Sequence, residues 1–295
     1  MTSSSFPALH RTADSASMRA QRQYLMLFRG TLWLLIGGAL FGSVSATALW
    51  WRPASLTASA TLLALSIVLG AALKINGPER IWFGARAVAE SIKSLTWRYV
   101  VGGEPYGWDL PPQAADEKFA AEMQGVLNER RALAWNYSAE PGNAPQITSE
   151  MRTIRATSTG DRLALYVRER IQQQREWYGS KASDSRHLHT KWFWITVVGQ
   201  SAALTASIMM VRFPESNINP TGTFSTLSAA ALAWLQMKRY QDLSQAYSLA
   251  AHELGLIEAQ AQHVNTESEL SQFVANAENA ISREHTMWVA RRDVG

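Results

Sequence analysis

The chain has 295 residues, 28 Lys+Arg against 24 Asp+Glu, a net charge of +4 and no cysteine. Without cysteine there can be no disulfide framework, thiol nucleophile, or cysteine-ligated zinc or iron–sulfur centre. A mean hydropathy of −0.13 excludes a wholly embedded chain, but it averages over four apolar runs separated by polar stretches.

After a polar segment, 1–29, the first run is Gly30 to Trp51, 22 residues without Asp, Glu, Lys or Arg. Pro53 to Leu73 follows with 21, then Trp192 to Val211 with 20 and Ser216 to Met237 with 22. About 20 such residues cover a hydrocarbon core about 30 Å thick, so each run is long enough to span a bilayer. Tryptophans cluster near the ends of these runs, at Trp33, Trp50, Trp51, Trp192, Trp194 and Trp234, as expected of rings that prefer the membrane interface. The first run is too long for a signal-peptide core and is followed at once by a second. The link inside the first pair of runs holds only Arg52, and the link inside the second pair holds only Arg212 among basic residues. Basic flanks stay in the cytoplasm, which predicts a multi-pass membrane protein with both termini and the central region cytoplasmic.

Between and after the runs, helices are predicted over Pro78–Val101, Asp116–Tyr137, Gly160–Thr190 and Lys238–His263. Turn-rich Val101–Pro112 and Ser138–Pro145 separate some of them. Thr266-x-x-Glu269 is a capping box opening a last helix through Arg291. No strand is predicted, so the fold class is all-α: two tandem two-helix transmembrane hairpins, each followed by cytoplasmic amphipathic helices. A shift of about 163 residues carries the layout of the first hairpin onto the second and Glu90 onto Glu253, a parallel rather than inverted repeat. The domain boundaries read as 30–137, a linker at 138–159, and 160–295.

Within the spans, Gly38-x-x-x-Gly42 with Ala46 forms a small-residue stripe for close helix packing. Thr196, Gln200, Ala203 and Ser207 share a face of the third span. Gln200, near its middle, is expected either to bond another helix or to line a pore in an oligomer. Outside the membrane, Arg86 and Glu90 are four apart on one helix face, while Trp97, Trp177 and Trp288 look like packing residues. Arg152, Arg155, Arg162, Arg168, Arg170 and Arg175 form a basic stretch, read as a solvated or lipid-facing surface, with a nucleotide or anionic-lipid site as the alternative. His187-x-His189 is an interfacial polar pair, and Gly102-Gly-Glu-Pro-Tyr-Gly107 lacks a P-loop lysine. No catalytic, metal or cofactor constellation is expected, nor specific nucleic-acid binding.

Ile81-Trp-Phe-Gly-Ala-Arg-Ala-Val-Ala-Glu-Ser-Ile-Lys-Ser-Leu-Thr-Trp-Arg-Tyr99, after the first hairpin, resembles a SLATT domain, the SMODS- and SLOG-associating two-TM effector. The second half resembles another SLATT type. Trp177-Tyr-x-x-Lys181-Ala182 precedes its hairpin, and Tyr247-x-x-Ala250-x-x-Glu253-Leu254 and Phe273-Val-Ala-Asn-Ala-Glu-Asn-Ala-Ile-Ser-Arg-Glu-His-Thr-Met-Trp288 follow it. The resemblance implies a bacterial conflict or anti-phage setting and a membrane-perturbing effector paired with a nucleotide-generating or nucleotide-sensing cytoplasmic partner. It also singles out Arg86, Glu90, Trp97, Trp177, Glu253, Glu284 and Trp288 as cytoplasmic docking positions. The expected function is a homo-oligomeric, non-enzymatic effector that permeabilises the bilayer. The alternatives are a non-conducting scaffold or sensor and, fitting less well with uncharged spans and parallel repeats, a transporter.

Overall fold

The computed structural model describes residues 1–44, 50–129 and 144–293, with the side chains of Ser3 and of 283–293 left aside. Its helices are α1 (Ala8–Gly42), α2 (Arg52–Asn76), α3 (Pro78–Val101), α4 (Pro112–Glu129), α5 (Ser149–Arg155), α6 (Thr159–Tyr166), α7 (Gln173–Arg212), α8 (Thr221–Lys238), α9 (Tyr240–Gln260) and α10 (Glu267–Asp293). A π-helical turn, Val167–Gln172, joins α6 to α7. Among the described residues there is no strand, only an isolated bridge between Val44 and Ile218. The fold is all-α, as expected.

Local chemistry sets the breaks. Gly77 takes a left-handed conformation (φ 51°) at the end of α2, and Pro78 then opens α3 where its missing N–H costs nothing. Gly102 ends α3 at φ 76°. Gly103 N–H donates to the Arg98 carbonyl (2.8 Å) and Gly102 N–H to that of Tyr99 (3.4 Å), a Schellman closure. Gly102 is also required by space, since a Cβ there would stand 2.7 Å from the Arg162 guanidinium. The Thr266 box forms as expected: Glu269 N–H donates to Thr266 Oγ1 (3.3 Å) and Thr266 N–H to the Glu269 carboxylate (3.0 Å).

The chain divides into two units that cut across the two halves of the sequence. One comprises 1–21, 79–182 and 245–295; the other comprises 22–78 and 183–244. The first unit has a single core to which both halves contribute, including Phe6, Ile92, Trp97, Tyr99, Tyr166, Leu270 and Val274. Trp97 meets Tyr166 edge-on at 5.8 Å, and Arg98 donates to Asn279 at 2.8 Å. The halves are tandem in sequence but folded together in space.

The second unit reverses the soluble pattern. Trp33, Ile67, Val68, Val198, Leu204 and Val211 are exposed, while Ser55, Ser59, Ser66 and Ser228 are buried. Large apolar groups outside and small polar groups at the contacts are what a bilayer selects. Three helical stretches, Ala8–Gly42, Arg52–Val101 (broken at Gly77) and Thr159–Arg212, are long and apolar enough to cross a membrane.

The fourth expected run is shorter than its sequence suggested. Only Thr221–Lys238, 18 residues, is helical, about 27 Å at 1.5 Å per residue. Pro220 cannot continue a helix towards its N-terminus, and Ser216 to Pro220 form an irregular link in which Asn219 N–H donates to the Ser43 carbonyl at 2.7 Å.

Candidate functional site

The Gly38 stripe packs against α2 of the same hairpin. A Cβ on Gly38 would lie 2.8 Å from Leu63, and one on Gly42 would lie 3.2 Å from Ser59. The approach lets Ser59 donate to the Gly38 carbonyl and Ser55 to that of Phe41, each at 2.7 Å. In the other hairpin Ser228 donates to the Thr196 carbonyl at 2.9 Å, beside Gly199. Thr223 of α8 donates to the Ala39 carbonyl of α1 at 3.1 Å, joining the hairpins. Ala46 lies outside the described residues. Serine as the partner was not nominated from the sequence, although Ser55, Ser59 and Ser66 recur on one face of α2 and offered that signal.

The polar face of α7 straddles an edge. Thr196 and Ala203 are buried, while Ser207 is half-buried and Gln200 is exposed. Thr196 satisfies its hydroxyl on the Trp192 carbonyl (3.0 Å). The Gln200 amide, by contrast, stands on the outer side of a spanning helix.

In the first unit, Arg86, Glu90, Trp97 and Trp177 converge on a cleft of about 450 Å³ also lined by Lys93 and Phe6. Arg86 bridges Glu90 at 2.6 Å and Asp14 at 3.5 Å. Trp97 is buried, whereas Trp177 is 42 % exposed and packs on Tyr247 at 5.5 Å. Glu169, Arg170 and Gln173, from the π turn and its exit, complete one wall. Such turns interrupt α-helices mostly where a site needs reshaping. Glu253 does not join this group. It is exposed and lines a small separate crevice with Tyr178 and Ile257. The side chains of Glu284 and Trp288 lie outside the described residues.

The basic stretch is not a solvated anion-binding face; three of its six arginines are buried. Arg155 donates to the carbonyls of Tyr99 (2.7 Å), Tyr106 (2.9 Å) and Gly107 (3.2 Å). Arg162 donates to the Val101 carbonyl at 2.8 Å and pairs with Glu267. Arg170 binds Glu278 through two hydrogen bonds of 2.8 Å, and Tyr166 donates to the same carboxylate at 2.9 Å. Burial works against the Arg170 charge, but Glu278 outweighs it and holds the guanidinium protonated. Arg152 and Arg175 face outward yet pair with Asp116 and Glu258. Glu278 was missed. Its signal was position: Leu270, Phe273, Val274, Ala277 and Ile281 make a helical apolar stripe, and Glu278 sits on it.

Two matches to known families cover nearly the whole chain. Residues 7–163 match the family described as SMODS and SLOG-associating 2TM effector domain 3. Residues 166–288 match SMODS and SLOG-associating 2TM effector domain 1. The chain belongs to the SLATT family. It carries two SLATT domains in tandem, and the junction between them falls in α6, just before the π turn that helps form the cleft. The SLATT membership and the inside-out second unit together make it a membrane protein. No curated protein and no solved structure is significantly similar to it.

Proposed function

We propose that this tandem SLATT protein is a non-enzymatic effector of a bacterial conflict or anti-phage system. It sits in the inner membrane with both termini cytoplasmic, assembles as a homo-oligomer, and permeabilises the bilayer when a nucleotide-generating or nucleotide-sensing partner signals. The observation that carries the assembly is Gln200, exposed about midway along its span. An amide facing lipid tails forfeits its hydrogen bonds at a cost of several kcal/mol. A second copy or a water-filled path supplies the missing partners. The cytoplasmic orientation rests on the basic flanks Arg22, Arg29, Lys191 and Lys238.

The test is expression in cells carrying a potential-sensitive dye. Wild type should depolarise the membrane and arrest growth, and Gln200→Leu should weaken both at equal membrane level. If wild type stays silent even with its partner genes present and a phage challenge applied, the non-conducting scaffold or sensor is the correct reading.

A further inference from the structure

The cleft in the first unit contains a cation that Glu90 favours only through space. Lys93 lines it, half-buried, and among the described residues its ammonium has no hydrogen-bond or ion-pair partner. The neighbouring cations are occupied: Arg86 by Glu90 and Asp14, and Arg170 by Glu278. The ring of Trp97 also lines the cleft, while its indole nitrogen is sealed from water. A cation without a bonded partner therefore lines the cavity beside the rings of Phe6, Trp97 and Trp177. Buried polar groups are ordinarily satisfied, and a retained exception calls for a role. A volume of about 450 Å³ falls within the range of small-molecule sites.

We propose that this cleft binds a soluble small molecule with an anionic group and a planar body, the anion on Lys93, the planar part against the aromatic side chains. Glu90 and Glu169 in the lining disfavour a ligand carrying several separate anionic groups, so one such group fits best. The anion would restore the charged state that burial works against, since burial lowers the Lys93 pKa below the ordinary lysine value. The π turn links this site to α7 without a break in the helix. If ligand binding is the input that triggers the effector, that role rests on the function proposed above; binding itself does not.

The full-length protein, held in phosphatidylcholine nanodiscs, is titrated against 4-methylumbelliferyl phosphate and followed by anisotropy, with the uncharged methyl ether of the same ring as control. The phosphate should bind saturably and the ether at least tenfold more weakly. Lys93→Met should weaken phosphate binding at least tenfold while raising the melting temperature of the ligand-free protein, because it removes a desolvated charge. Trp177→Ala, at a side chain already 42 % exposed, should weaken binding without lowering that temperature. Equal affinity for the ether, unchanged affinity in Lys93→Met, or no saturable binding of the phosphate would overturn the proposal. None of these readings depends on depolarisation, so the site and the effector reading can fail separately.

Discussion

Arg170 and Glu278 face each other across two hydrogen bonds of 2.8 Å with both side chains removed from water. Removing either partner alone strands a charge in the core, which costs about 3–5 kcal/mol. Glu278→Ala should therefore lower the melting temperature sharply or prevent accumulation. Arg170→Met with Glu278→Leu should recover most of the loss, because paired replacement by apolar groups is often neutral. If the double variant is as unstable as Glu278→Ala, the pair is not the cause.

The Gly38 contact makes a different kind of prediction. Because the stripe packs on α2 of its own hairpin, Gly38→Ile must push Leu63 aside, an overpacking worth about 1–3 kcal/mol. Heat-induced loss of the folded protein in detergent should come earlier, while oligomer size before unfolding stays the same. A smaller oligomer with unchanged stability would place the stripe between subunits instead.

Acid should act through His10. Burial lowers its pKa from 6.5 to about 4 against the mixed field of Asp14, Lys93, Glu90 and Arg86. The folded state thus holds this imidazole neutral, while the unfolded chain protonates it near pH 6.5. The unfolded state binds more protons in between, so the stabilisation is complete above pH 6.5 and is lost as pH falls towards 4, by up to about 3 kcal/mol. Melting temperatures of wild type and His10→Gln across that window should converge with acidification. A constant gap would show that His10 titrates normally.

The sequence disclosed the features that repeat along a helix and hid those that depend on which helices meet. Apolar runs, the Pro78 start, the Gly102 stop and the Thr266 box are local patterns, and α3 and the start of α10 match them residue by residue or to within one. The tandem layout was legible for the same reason. The arginines of 152–175 were not: an arginine bonded to carbonyls at the end of α3, as Arg155 and Arg162 are, has the same sequence signature as one in water. Glu278 was readable as a polar residue on an apolar stripe, but its partner, 108 positions away, was not. Arg86, Glu90, Trp97 and Trp177 were nominated as docking positions on family likeness, and only the fold gathers them around one cavity. The fourth run misled because absence of charge is not helix, and Pro220 decides where α8 begins.

Because the chain has no cysteine, a single Gln200→Cys variant reports directly on the surroundings of that position in the native membrane. In the assembly proposed for this protein, the exposed mid-span position of α7 meets another copy or water. Gln200→Cys should therefore form a disulfide-linked dimer under mild oxidation or react with a membrane-impermeant thiosulfonate. Val198→Cys, similarly deep and exposed but pointing about 160° away around the helix at 100° per residue, should do neither. If both cysteines are equally inert in cells where wild type depolarises the membrane, Gln200 faces lipid and the assembly proposed here is wrong.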